Sequence, residues 1–199
     1  DDKRRGKRDY SKYYLRDYIA WSYTVSTNTK VIATRYYPRG FLWDVRGSGI
    51  FDKSNNLYYL AALISSKVGY TLFRIKSEVL SCQVENIEEI PVILDEEKHD
   101  EVDKTVKDCI ELSRADWDSF ETSWDFKRHP MIYNEETITS SYNKWKHETE
   151  KRFFSLQANE EKLNRIFINI YSLQDELTPE VEDKDVTVYR IFDNKEEIP

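Results

Sequence analysis

Apolar and polar positions change over short distances in the first quarter of the chain. Ile19 to Thr27 is rich in β-formers and ends at the polar turn Ser26-Thr27-Asn28-Thr29. Val31 to Tyr37 follows, then the turn Pro38-Arg39-Gly40, then Phe41 to Val45, then a turn around Gly47 and Gly49. Short β-branched and aromatic runs, punctuated by Gly, Pro and Asn, predict an antiparallel meander. Asn55 or Asn56 stands where a helix cap is needed, ahead of a helix from Leu57 to about Val68 with Gly69 as its stop. That helix carries Leu57, Tyr58, Leu60, Ala61, Leu63 and Ile64 on most of its faces, which predicts burial. Tyr70 to Ile75 reads as another strand. Val84, Ile87, Ile90, Val92 and Ile93 read as an apolar segment docked along a sheet edge, running past Pro91.

The period changes at Asp95. Val102, Val106, Cys109 and Ile110 keep the spacing of one helix face. Ser113 and Asp116 have capping-box spacing and predict a short helix with Trp117, Phe120 and Trp124 on one side. Those aromatics are expected in the core. Ile138, Tyr142, Trp145, Thr149, Phe153 and Leu156 step by three and four, which predicts a long amphipathic helix with an apolar seam. A second helix is expected behind a cap at Asn159, with Leu163, Ile166, Phe167, Ile170 and Tyr171 inward and Thr178-Pro179 as its breaker. Val186 to Phe192 alternates and predicts a last strand. The fold class is therefore α+β: a small antiparallel β region with a buried helix over residues 1–94, then a mainly helical region over residues 95–199.

Composition supports a packed protein. Of 199 residues, 39% are hydrophobic, enough to bury a core. No apolar run approaches the roughly 20 residues of a membrane helix. The basic N-terminus has no apolar stretch behind it, so no signal peptide is visible. Cys82 and Cys109 provide neither a disulfide framework nor a zinc site, and two reduced, buried thiols fit a cytoplasmic protein. The first residue is Asp1 rather than Met, so the chain reads as a piece of something longer.

Charge separates the two ends. The formal net charge is −7, yet residues 1–50 carry +6 and the remainder −13. A basic end can meet phosphates; an acidic end cannot. The basic end also interleaves Lys12 and Arg16 with Tyr10, Tyr13, Tyr14 and Tyr18. Arg4, Arg5, Lys7 and Arg8 are candidate phosphate contacts. Asn28, Lys30, Arg35, Arg39 and Arg46 lie in or beside turns, where side chains can reach base edges.

Enzyme motifs are missing from the sequence. No Gly-rich loop follows a predicted strand, and only five glycines occur in the chain. No Asp/Asn-Pro-Pro-aromatic tetrapeptide is present. His99, His129 and His147 are scattered without ligand spacing. Asp95-Glu96-Glu97-Lys98 faintly resembles a nuclease carboxylate cluster, but acids in that order suit the first turn of a helix.

Longer strings carry a resemblance. Trp21-Ser22, Arg35-Tyr36-Tyr37-Pro38-Arg39-Gly40-Phe41 and Gly49-Ile50-Phe51 resemble the target-recognition region of the PglX family, the adenine-specific DNA methyltransferases of BREX bacteriophage-exclusion systems. Asn56 to Leu60, Ser65 to Val68 and Gln83 to Val92 are similar to a helix and following segment shared with TaqI-like methyltransferases. The sharpest strings run from Asp116 to Pro130 and from Asn159 to Val181, and resemble the C-terminal end of the PglX family. The resemblance covers nearly the whole chain and is weakest before about residue 18.

It implies a part of a methyltransferase that reads double-stranded DNA and lacks the catalytic domain, so this piece is expected not to be an enzyme by itself. S-adenosylmethionine would bind the missing domain. That domain and other BREX subunits are the implied protein partners. A protein–protein docking module, built on the Trp117, Phe120, Trp124 and Trp145 surface, is the alternative.

Overall fold

The computed structural model describes residues 10–25, 30–44, 46–52, 54–77, 79, 81–132 and 135–192. The chain divides into two compact units. One comprises residues 1–65 and 69–91, the other residues 66–68 and 92–199.

The first unit is organised by a strand of four buried residues, β1 (Tyr18–Trp21). A strand buried on both faces is best satisfied with a neighbour on each edge. β2 (Thr34–Tyr37) pairs with one edge and β3 (Gly49–Ile50) with the other, both antiparallel, giving the order β2-β1-β3. The expected antiparallel region is therefore present, but not as a sequential meander, because β1 and not β2 is central. Phe41 to Asp44 form no ladder; their aromatic rings pack beside the sheet instead.

Register separates the two faces of the sheet. Tyr18 pairs with Tyr37, and Ala20 pairs with both Arg35 and Gly49, so these residues share one face. The alternate residues Ile19, Trp21, Thr34, Tyr36 and Ile50 share the other. The second face meets α1 (Leu57–Ser65): the Thr34 and Ser65 hydroxyls lie 2.6 Å apart, and the Tyr36 and Tyr58 rings are 5.7 Å apart. Trp21, Val25, Ile32, Ile64, Phe73 and Cys82 form the core there. The Trp21 Nε1–H donates to the Cys82 carbonyl at 2.9 Å, and the Cys82 N–H donates to the Tyr23 carbonyl at 2.7 Å.

Two local expectations are corrected. Gly69 does not stop a helix, and Tyr70 to Ile75 is not a strand. Helix α2 runs from Lys67 to Lys76, after α1 ends at Ser65. Buried Gly69, Phe73 and Ser77 step by four, a helical spacing that outweighs the β-preference of Tyr70 and Thr71. The segment foreseen along a sheet edge contains a short helix, α3 (Val84–Glu88), capped by reciprocal contacts between Gln83 and Asn86.

The second unit is built on two long antiparallel-type neighbours in sequence, α4 (Glu96–Trp117) and α5 (Ile138–Ile170). Asp95 caps α4 by accepting from the N–H groups of Glu97 at 3.0 Å and Lys98 at 3.1 Å. Glu96 and Glu97 in the first turn suit the helix dipole, as the sequence suggested. Thr137 caps α5 in a capping box with Ser140. α5 continues through Asn159, where two helices were expected, because no Gly or Pro interrupts Ile138 to Ile170. It ends at Ile170, ahead of the expected breaker at Thr178-Pro179. Ser172 takes the left-handed conformation, φ 56°, and Leu173 N–H closes back onto the Ile168 carbonyl at 2.9 Å.

No strand forms over Val186 to Phe192. Val186 and Val188 are buried on either side of exposed Thr187, but the next buried residue is Ile191, a step of three, and the backbone finds side chains rather than a neighbouring strand. The Tyr189 N–H donates to Asp116 Oδ2 at 3.0 Å, and the preceding segment is held by Gln157 on the Val181 carbonyl at 2.8 Å. Asn164 similarly donates to the Pro179 carbonyl at 3.2 Å. Val186 and Val188 pack with Phe153 and Leu156.

The short helix foreseen after Ser113 is also absent, because α4 runs on to Trp117 and turns follow. The aromatic row does not form a core. Phe120 is half-buried against Tyr189, whereas Trp117 is exposed and Trp124 is 97% exposed.

Candidate nucleic-acid interface

The face of the sheet turned away from α1 carries an aromatic cluster. Tyr18 and Tyr37 face each other across the β1–β2 ladder and stack with centroids 4.9 Å apart and planes 4° apart. Phe51 packs on Tyr18 at 5.2 Å, Trp43 on Phe51 at 4.7 Å and Tyr13 on Phe51 at 4.9 Å. Glycine at position 49 makes room for this. A Cβ there would lie 2.9 Å from the Tyr18 ring and 3.0 Å from the Phe51 ring. Burial, then the neighbouring Tyr37 and Asp44, holds the Tyr18 phenol above its ordinary pKa, so it stays a neutral donor. It donates to the Leu42 carbonyl at 3.2 Å.

Basic side chains lie on the strands and turns of the same sheet. Arg35 is exposed on edge strand β2, on the same face as Tyr37. Arg39 is exposed in the turn that follows, 3.7 Å from Asp17. Arg46 sits in the turn before β3 with its guanidinium 5.2 Å from the Tyr23 ring, while Asp44 accepts from the Arg46 N–H at 2.7 Å. Lys30 is exposed at a left-handed turn position, φ 51°. Lys12 lies over the Tyr13 ring at 4.9 Å. Of the nine residues predicted to contact DNA, Lys30, Arg35, Arg39 and Arg46 are thus on turns or an edge of one small sheet. Arg4, Arg5, Lys7, Arg8 and Asn28 lie outside the described residues.

Six basic residues (Lys12, Arg16, Lys30, Arg35, Arg39, Arg46) stand against three acidic ones (Asp17, Asp44, Asp52) among the described residues from 10 to 52. Exposed ion pairs such as Arg39–Asp17 are weak, typically under about 1 kcal/mol, so Arg39 remains available to an anion. The exposed guanidinium groups of Arg35 and Arg39 offer donors to a phosphate, while the rings beside them pack mainly on one another.

The sequence pattern alone missed how the loops around the cluster are tied. The Gly40 N–H donates to the Leu15 carbonyl at 3.1 Å, joining the turn after β2 to the segment before β1. Gly40 has φ 109°, open to glycine alone, and Leu15 has φ 59°, an unusual choice for a branched residue that costs roughly 1–3 kcal/mol. A cleft of about 470 Å³ lies nearby, lined by Arg16, Asp17, Asp52, Asn55, Leu57 and Tyr58. The Asp52 carboxylate is already engaged by the backbone N–H groups of Ser54 and Asn56.

Elsewhere the ionisable groups are structural. Burial pushes the Cys82 thiol up to about 11 and the Cys109 thiol up to about 12, so neither is a thiolate nucleophile near neutral pH. Both cysteines are free. Among the described residues no group of His, Cys, Asp and Glu is arranged to hold a metal ion. No helix among them is long and apolar enough to cross a membrane.

No protein-family model matches the chain. Individual relatives do. The chain is 34% identical over 200 aligned residues to the adenine-specific methyltransferase PglX of Lacticaseibacillus casei (strain Zhang), covering 95% of the chain and 16% of that protein. It is 29% identical over 169 residues to the adenine-specific methyltransferase BrxX of Escherichia coli O9:H4 (strain HS), covering 83% of the chain and 13% of that protein. The chain therefore spans about one sixth or less of the length of these relatives, and over most of its own length it belongs with one segment of the PglX and BrxX adenine-specific methyltransferases.

Proposed function

We propose that this chain is a DNA-reading segment of a BREX-type, adenine-specific DNA methyltransferase. The observation that carries the reading is the face of the β2-β1-β3 sheet that bears exposed Arg35 together with the stacked Tyr18 and Tyr37 rings, with Lys30, Arg39 and Arg46 on the turns beside the strands. Double-stranded DNA is the partner. Lys and Arg supply the phosphate contacts that fix the register, and side chains on projecting turns read base edges. The work of the whole enzyme would be methyl transfer to an adenine amine in the cytoplasm, on a base flipped out of the duplex.

S-adenosylmethionine does not fit the residues present. The sequence has no Gly-rich loop after a strand, and the cleft beside Tyr58 offers an Asp52 carboxylate already held by backbone N–H groups. In this reading cofactor binding and catalysis are assigned to the remainder of the longer protein.

Charge reversal tests the reading. The double variant Arg35→Glu/Arg39→Glu is compared with the parent chain by fluorescence anisotropy on a mixed-sequence duplex. Loss of two phosphate-facing cations and gain of two anions should weaken binding by at least about tenfold at low salt. Unchanged affinity sinks the assignment.

One observation favours a second role. Trp117 and Trp124 lie on the surface of the second unit, and exposed large aromatics of this kind are typical protein-interface anchors. In this reading the second unit docks onto the rest of the methyltransferase or onto another BREX subunit. Co-purification with the co-expressed remainder of the enzyme, lost in Trp117→Ala/Trp124→Ala, is the expected result; equal recovery of the variant removes the role.

A further inference from the structure

Beyond the basic side chains, the outer face of the first unit presents an apolar edge. Leu42 is 63% exposed and Leu15 is 56% exposed, with Phe41 and Tyr14 also exposed. A single exposed leucine is ordinary, but these four lie on two loops that are bound together. The Gly40–Leu15 hydrogen bond is one tie. The second is Tyr18, whose hydroxyl donates to the Leu42 carbonyl from within the aromatic cluster. Two ring contacts complete the mount, Phe41 on Tyr37 at 5.7 Å and Tyr14 on Trp43 at 5.5 Å. The strained backbone at Leu15, φ 59°, and the glycine-only φ of 109° at Gly40 fix the presentation.

What covers this edge is indicated by its surroundings. The same loops and strand carry Lys12, Arg16, Arg35 and Arg39 against only Asp17 and Asp44. An apolar tip carried on the same cationic loops and strand complements a partner with anionic borders and an apolar interior. Duplex DNA has this pattern, with phosphates outside and stacked bases within. Apolar side chains such as Leu and Phe are known to enter base steps as wedges when cations hold the flanking phosphates.

We propose that Leu42 and Phe41, supported by Leu15, form a wedge that enters a base step of duplex DNA and unstacks it, while Arg35 and Arg39 grip the flanking phosphates. The inference rests on the DNA-reading assignment above and adds deformation of the duplex to it. Specificity then includes steps that are easily unstacked, beyond those touched by hydrogen bonds. Methyl transfer to a base inside a duplex also needs local unstacking, which such a wedge promotes.

The test uses the full 199-residue chain and two fluorescent duplexes of one mixed sequence, fully paired or carrying one central mismatch. The mismatch lowers the unstacking cost, so the parent chain should bind it at least about fivefold more tightly. The double variant Phe41→Ala/Leu42→Ala should lose that preference and keep its salt dependence, and circular dichroism melts check that it is folded. Salt-dependent binding that is equal on both duplexes, and unaltered in the variant, overturns the wedge and leaves DNA reading intact. Absence of duplex binding even at low salt removes the DNA reading and the wedge with it. Sedimentation of the same samples covers the remaining occupant. Self-association of the parent that the variant loses, with DNA binding unchanged, assigns the edge to a second copy of the chain and overturns the proposal.

Discussion

Arg152 on α5 donates to Asp116 on α4 at 3.0 Å, with both side chains largely buried at 16% and 12% exposure. The other Asp116 oxygen accepts the Tyr189 N–H at 3.0 Å. One carboxylate thus joins two helices and the segment after α5, so that segment needs no strand partner. Removing it leaves a guanidinium and an N–H without their acceptor in a mostly dry site. Asp116→Ala should destabilise the second unit by about 3 kcal/mol. A urea titration measures it, and a loss below about 1 kcal/mol would place the pair among weak surface bridges.

Glu160 gives the second unit a distinct pH response. Burial, and then the nearby Asp185 carboxylate, push Glu160 up to about 7. Cys109 faces the same carboxylate, whose charge helps to raise the thiol pKa. A carboxyl group with a raised folded pKa binds its proton more tightly when folded. Its stabilising contribution is complete below the ordinary value of 4.5 and is lost as pH rises through about 7. Glu160→Gln keeps the shape and removes the titration. The variant and parent should melt at similar temperatures near pH 4.5, and the variant should gain on the order of 2–3 kcal/mol by pH 8. A stability difference that does not change with pH contradicts this account.

Gly69 lies inside α2, and a Cβ there would collide with the Leu63 carbonyl and come within 2.8 Å of the Ile64 carbonyl. Backbone cannot move aside as a flexible side chain can, so Gly69→Ala should cost about 2 kcal/mol or more. Gly47 is the control, with nothing within 4 Å of the equivalent position. Gly47→Ala should leave the melting temperature nearly unchanged. Equal effects of the two substitutions would mean that the close approach of α1 to Gly69 is not what requires glycine.

These elements also show what could be read in the sequence. The α+β class, the buried helix after Asn56 and the acidic first turn of α4 are visible as local patterns, because period and helix-end chemistry are written in adjacent residues. The strand expected at Tyr70 to Ile75 failed because a short apolar run suits a buried helix equally well, and burial of Gly69, Phe73 and Ser77 decides between them only in three dimensions. Val186 to Phe192 failed for a related reason. Alternation reports burial on one side, but the backbone partners, Asp116 among them, lie far away in sequence. Trp124 was expected inside because tryptophan is apolar, yet the turns after α4 place it in solvent.

For the candidate interface, residue type was legible and geometry was not. Lys30, Arg35, Arg39 and Arg46 stand out as basic residues beside turns. That Arg35 shares a sheet face with Tyr18 and Tyr37 depends on the β2-β1-β3 order and its register, which the turns alone do not specify. The exposed edge at Leu15 and Leu42 carried no sequence signal, since it depends on the Gly40–Leu15 hydrogen bond across two loops.

The measurement that bears most directly on the DNA-reading assignment is the salt dependence of duplex binding by the whole chain. Six cations, Lys12, Arg16, Lys30, Arg35, Arg39 and Arg46, lie among the described residues from 10 to 52. If about three to five of them meet phosphates, log K should fall against log salt with a slope of roughly −3 to −5. The Arg35→Glu/Arg39→Glu variant should flatten the slope by about 2. Binding that is absent at low salt, or whose slope the variant leaves unchanged, would contradict a role for this face in holding DNA.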